Sequence, residues 1–100
     1  MDNNENKTPT IKLGKIVQTE RISEAKTNNS RFRKEVDSSF LRYCYVDFGE
    51  ISDEDIESNK SAISNGDDRI FGAYTTSLGK IYIITEHDRS YTTILFADEY

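Results

Sequence analysis

The chain is poor in the residues that build redox, metal and membrane sites. Of its 100 residues one is cysteine, one is histidine and none is tryptophan. A single Cys44 excludes an internal disulfide and a cysteine-only zinc site. A lone His87, although flanked by Glu86 and Asp88, leaves a metal-phosphohydrolase centre short of the three or so protein ligands that a divalent ion needs. The five glycines, Gly14, Gly49, Gly66, Gly72 and Gly79, are scattered one at a time, so there is no glycine-rich phosphate loop. The longest apolar run, Ile81 to Ile84, falls far below the roughly 20 residues of a membrane helix. Residues 1–6 have neither a basic start nor an apolar stretch behind them, which predicts no signal peptide. A reducing, cytoplasmic compartment and no membrane partner are the expectation.

What is present points to one folded domain. The hydrophobic fraction is 35% and the mean hydropathy −0.71, but the apolar residues cluster in periodic segments and 11% of the chain is aromatic, unlike a disordered composition. The net charge of −5 hides an asymmetry. Residues 1–46 carry nine Lys/Arg against six Asp/Glu, and residues 47–100 carry four against twelve. The sharpest block, 47–68, holds eight acids and only Lys60. Such a field repels nucleic acid and attracts basic protein surfaces. Taken alone, an acidic block is more often a solvated face that keeps a small protein dissolved.

Residues 1–10 carry no apolar pattern after Met1 and reach the only proline, Pro9, so a disordered tail is expected there and a single α+β domain over 11–100. Ile11 to Thr19 suggests a short, bulged strand, and residues 22–28 one helical turn. Ser30 is a candidate N-cap for a helix over 31–44, with Phe32, Val36, Phe40 and Tyr43 on one stripe. Tyr43 to Val46 also fits a short strand. Ser52, followed by Asp53, Glu54 and Asp55, opens an acidic second helix whose first turn complements the helix dipole, and Asn65-Gly66 ends it. Three runs rich in Ile, Tyr, Phe and Thr follow, 69–76, 80–85 and 91–96, joined by short links that favour an antiparallel meander packed on the helices. On the middle run Tyr82 and Ile84 face one side and Ile81 and Ile83 the other. Both faces are apolar, so this strand is covered twice or enters an interface.

The segment Ile81 to Ser90, then Thr92 to Leu95 and Glu99-Tyr100, resembles a family of small bacterial proteins borne on plasmids, integrative elements and phages, whose members end in an "IWIITEADRS-TTILLP-EY" pattern and are sometimes labelled plasmid-related protein or restriction-enzyme subunit. Leu13 to Val17 with Thr19 is similar to that family's opening strand. Leu41-Arg42-Tyr43 with Asp47 to Ile51 is similar to its "L-RH--GDWGDL" segment. Glu54-Asp55, Asn59, Gly66, Arg69 and Ala73-Tyr74 match further positions. Tyr43 stands where the family usually has His, and Phe48 and Tyr82 where it has Trp, so a role through that histidine is unsupported here. The resemblance implies a mobile-element setting in a bacterium, and no reaction.

No constellation makes a catalytic or metal site, and no cofactor is expected. Cys44 with His87 would suit a thiolate–imidazolium pair, but a cysteine in an aromatic-rich segment is more often a small buried hydrophobe. The carboxylates of Asp53, Glu54, Asp55 and Glu57 splay around a helix and lack the spaced loop of a calcium site. Two binding functions remain. In the first, the acidic residues Asp53, Glu54, Asp55, Glu57, Asp67 and Asp68 mimic phosphate and occlude a host defence protein or nucleoprotein complex, as an anti-CRISPR or anti-restriction protein would, with Tyr and Phe side chains as anchors. In the second, Arg31, Arg33 and Lys34 contact nucleic acid in a small regulator of element maintenance. The sequence pI of about 4.8 weighs against the second.

Overall fold

The computed structural model describes residues 11–100; the tail expected over 1–10 lies outside the described residues. The order of elements is β1 (Lys15–Gln18), α1 (Glu20–Asn28), α2 (Ser30–Cys44), α3 (Asp53–Asn65), β2 (Ile70–Thr76), β3 (Gly79–Thr85) and β4 (Tyr91–Phe96), closed by a single 3-10 turn over Ala97–Glu99. The class is α+β, as expected. The meander of β2, β3 and β4 is present and antiparallel, with Gly72 opposite Ile83 and Ile83 opposite Ile94. It gains a fourth strand: β1 lies parallel to β4, Lys15 opposite Tyr91 and Gln18 opposite Ile94, giving the order β1-β4-β3-β2.

Several local expectations shift. The opening strand is confined to Lys15–Gln18, preceded by Gly14 in the left-handed region, where a Cβ would collide with the carbonyls of Arg89 and Ser90. The single turn expected over 22–28 is a full helix, capped by Thr19, whose hydroxyl accepts from the Ile22 amide at 3.3 Å. The cap of α2 is Asn29 and not Ser30: its Oδ1 takes the Phe32 N–H at 2.9 Å, and Ser30 is already helical. Asparagine and serine serve equally at this position, so the sequence did not separate two adjacent candidates. Tyr43 to Val46 is not a strand. The helix runs through Cys44, and Val46 turns the chain at φ 59°. A β-branched residue in that region is strained by about 1–3 kcal/mol. It is held by bonds from the amides of Val46 and Asp47 to the carbonyls of Tyr43 and Arg42.

The helices cover one face of the sheet. Ile22 of α1 and Phe32, Val36 and Tyr43 of α2 pack on Ile70, Tyr74, Ile81, Ile83, Ile94 and Phe96, all buried. Phe32 stacks on Phe96 with centroids 5.5 Å apart. Each such side chain contributes about 1.5–3 kcal/mol by leaving water. A row of hydroxyls crosses this core. Thr92 donates to the Leu13 carbonyl (2.7 Å), Thr85 lies 2.8 Å from Thr92 and 2.7 Å from the Tyr43 hydroxyl, and Tyr43 reaches the Ile70 carbonyl (3.1 Å). It ties the segment entering β1 to β4, β3, α2 and β2 in turn, and no buried hydroxyl in the row is left without a partner.

The outer edge of β2 is closed by groups that are not a strand. Asn59 of α3 accepts the Phe71 N–H and donates to the Phe71 carbonyl. The Ala73 N–H goes to the Phe48 carbonyl and its carbonyl receives the Glu50 N–H. The Glu50 carboxylate takes both the Thr75 N–H and the Thr75 hydroxyl. Gly49 at φ 73° makes this approach possible, because a Cβ there would meet the Ala73 carbonyl and the Tyr74 ring.

Candidate functional site

The acidic side of the molecule is built by α3 and the turn after it. Ser52 caps the helix, accepting the Asp55 N–H at 3.1 Å. Three acids in the first turn sit against the positive end of the dipole. Asn59 and Ala62 point inward, and Asp53, Glu54, Glu57, Ser58 and Ser61 remain exposed, while Asp55 is half-buried on the flank. Gly66 stops the helix in the left-handed region, and Asp68 follows at φ 64°, its Oδ1 accepting the Arg69 N–H.

This turn is fixed by Arg89 from the β3–β4 turn, which lies beside it because Ile70 pairs with Thr85. In the β3–β4 turn, where Asp88 Oδ1 accepts the Ser90 N–H, the Arg89 guanidinium donates to five carbonyls. Two belong to its own turn, Glu86 and His87; the others are Ala62 (2.8 Å), Asp67 (3.2 Å) and Asp68 (2.6 Å). Arg89 thereby caps the end of α3, a use for which a planar fork of donors is suited. Held this way, Asp67 and Asp68 line one shallow depression of about 300 Å³ with Glu57, Ser58, Ser61 and Asn65.

Of the eight acids in the block, two serve the fold. Asp47 pairs with Arg42 at 2.8 Å and accepts the Gly49 N–H, and these bonds hold its carboxyl below the usual range. Glu50 is taken up by Thr75 and Lys80. Among the described residues only Glu57 of the other six makes an ion pair, with Lys60 at 3.6 Å on the open surface.

Among the described residues no helix lies on the opposite face of the sheet. Phe71 of β2, Tyr82 and Ile84 of β3, and Tyr100, which folds back from the 3-10 turn, line a groove of about 390 Å³ with Asp68 and Arg69. The Tyr82 and Tyr100 rings meet edge to face at 5.9 Å. Glu99 anchors this return by accepting the Phe96 N–H (2.8 Å) and the Thr19 hydroxyl (2.9 Å). Asp68 thus belongs to both the acidic depression and the aromatic groove. The doubly apolar pattern of Ile81 to Ile84 was the signal for this face. Nothing in the sequence placed Phe71 and Tyr100 beside it.

The basic candidates do not converge. Arg31 and Lys34 share one flank of α2, but Arg31 is paired with Glu35 at 3.4 Å, and Arg33 turns the other way to the Lys26 carbonyl. Glu35 is itself held by the amide and hydroxyl of Ser77, which with Arg31 keep its carboxyl below the ordinary value. Cys44 is half-buried at the end of α2, where burial pushes its thiol up, away from an activated thiolate. His87 is exposed in the β3–β4 turn. No helix among the described residues is long and apolar enough to cross a membrane. Comparison with protein-family models, with curated proteins and with solved structures finds no match.

Proposed function

We propose that the chain is a non-enzymatic binding protein of the bacterial cytoplasm, carried by a mobile element, that occludes a basic, nucleic-acid-handling defence protein of its host. The observation that supports this is the layout of Asp53, Glu54, Glu57, Asp67 and Asp68. These five carboxylates are exposed and distributed along α3 and its following turn, with the surface Lys60 and Arg69 as the exposed cations of that stretch. Asp55 adds charge at the margin. Carboxylates spaced along a rigid helix present a row of negative charge to a site that otherwise receives phosphates, and charge complementarity of this kind governs the rate and choice of partner. The fold supplies rigidity through the Ser52 cap at one end and Arg89 at the other.

The test is complex formation between the purified chain and host Cas effectors or type I restriction complexes. It is run at low salt, where the screening length is about 30 Å rather than about 10 Å. A complex is expected there, weakened roughly tenfold when Glu54→Gln, Glu57→Gln and Asp67→Asn are combined. No complex at low salt sinks the idea. A shift of duplex DNA or RNA that Arg31→Gln and Lys34→Gln abolish would instead mark a nucleic-acid regulator.

A further inference from the structure

The open face of the sheet has the makings of a receptor for a cation. Phe71 and Tyr82 lie with centroids 6.4 Å apart and planes at 78°, and Tyr82 and Tyr100 at 5.9 Å and 80°. Three rings in consecutive near-perpendicular pairs form the walls of a box. Ile84, only 6% exposed, lines it, and Asp68 stands at its rim. Aromatic faces attract a cation electrostatically, and most strongly where water is partly excluded. The chain's own Arg69 shows that such a ring accepts a guanidinium here, its Cζ lying 5.8 Å from the Tyr100 centroid.

We infer that this groove is the anchor site for an arginine side chain on a basic segment of a protein partner. This deepens the function proposed above and rests on it. The groove's own charges, Asp68 and Arg69, balance, and the acidic flank of α3 beside it selects a cationic occupant. The groove shares Asp68 with the depression lined by Glu57 and Asp67, so a segment lying along α3 delivers a side chain directly to the box. Arginine fits better than lysine. Its guanidinium is planar, more weakly hydrated than an ammonium and stacks on aromatic faces.

The experiment uses the full chain, isotope-labelled, with a short synthetic peptide of alternating glycine and arginine at low salt. Expected are shifts of the Phe71, Tyr82 and Tyr100 ring resonances, and about fivefold weaker binding for Asp68→Asn and for Tyr100→Ala. Glu54→Gln, remote from the box, should change affinity less than about twofold. Both informative variants spare the fold: asparagine tolerates the positive φ of Asp68 and keeps the bond to the Arg69 amide, and Tyr100 is 71% exposed. If the peptide binds with the rings unmoved and all three variants weaken it equally, the box is refuted and the acidic surface stands. Equal affinity for a glycine–lysine peptide refutes the choice of arginine. Ring shifts with oligothymidine in place of either peptide would overturn the assignment in favour of nucleic-acid stacking. An absence of binding to any of these at low salt removes both proposals.

Discussion

Asn59 occupies a place on α3 where Ile56 and Ala62, three residues to either side, lead one to expect an aliphatic side chain. It is 1% exposed, and its amide pairs with both backbone groups of Phe71. The side chain thereby acts as a one-residue strand. Asn59→Ala leaves a donor and an acceptor without partners and should cost about 2 kcal/mol, read as a lower urea midpoint with faster hydrogen exchange at the Phe71 amide. Unchanged exchange at that amide would show that the bonds contribute nothing. Hydrophobic periodicity located most of the inward residues of α2 and the strands, because apolar spacing is a local property. It passed over Asn59, whose partner lies twelve residues on and leaves no local trace. The one cue was a polar residue interrupting an apolar stripe.

Among the elements, α3 and the three later strands were legible to within a residue or so. Their boundaries are set by short-range chemistry: Ser52 and Gly66 at the ends of the helix, and a two-residue turn at Ser77-Leu78. α1 was underestimated because it buries one residue fully, Ile22, and its apolar signal is correspondingly thin. β1 was seen as a strand but not as part of the sheet, since a parallel partner at the far end of the chain has no sequence signature. Arg89 joins the best-read elements in a way sequence did not disclose. Arg89→Ala should destabilise the chain by about 1.5 kcal/mol by thermal or chemical denaturation, as the partly buried carbonyls of Ala62 and Glu86 and the exposed ones of Asp67, Asp68 and His87 lose a charge-assisted donor. Arg89→Lys should recover less than half of that, lacking the fork. The Gly66 amide, bonded to the Ala62 carbonyl, should exchange faster in both. A full rescue by lysine would mean that charge alone matters there.

Across the whole molecule the two faces of the sheet differ in kind, one a conventional core and the other an aromatic groove beside a negative flank. The acidic character of that flank was visible in composition, but its rigid placement and its continuity with the groove needed the fold. The core also sets an alkaline limit on stability. Of the six tyrosines, Tyr43 and Tyr74 are 0% and 1% exposed, and burial holds both phenols above their ordinary range. The folded state keeps these protons while the unfolded chain releases them near pH 10. Stability should therefore be intact below about pH 10 and fall above it, by about 1.4 kcal/mol per pH unit for each tyrosine. Urea midpoints between about pH 8 and 11 test this, with Tyr43→Phe halving the slope; a flat profile in the parent chain would contradict it.

The closed edge of β2 bears on how copies of the chain can meet. A fibril needs two adhesive edges on every subunit, one to receive the last copy and one to receive the next. Here Asn59, Glu50 and the 47–50 segment fill the ladder on one side, and among the described residues β1 is the sheet's other boundary. Pairing through β1 would join two copies and then present only sealed edges outward, so strand-by-strand growth ends at a pair. A sheet that carries an open aromatic face is thereby protected from runaway polymerisation by its own asymmetry.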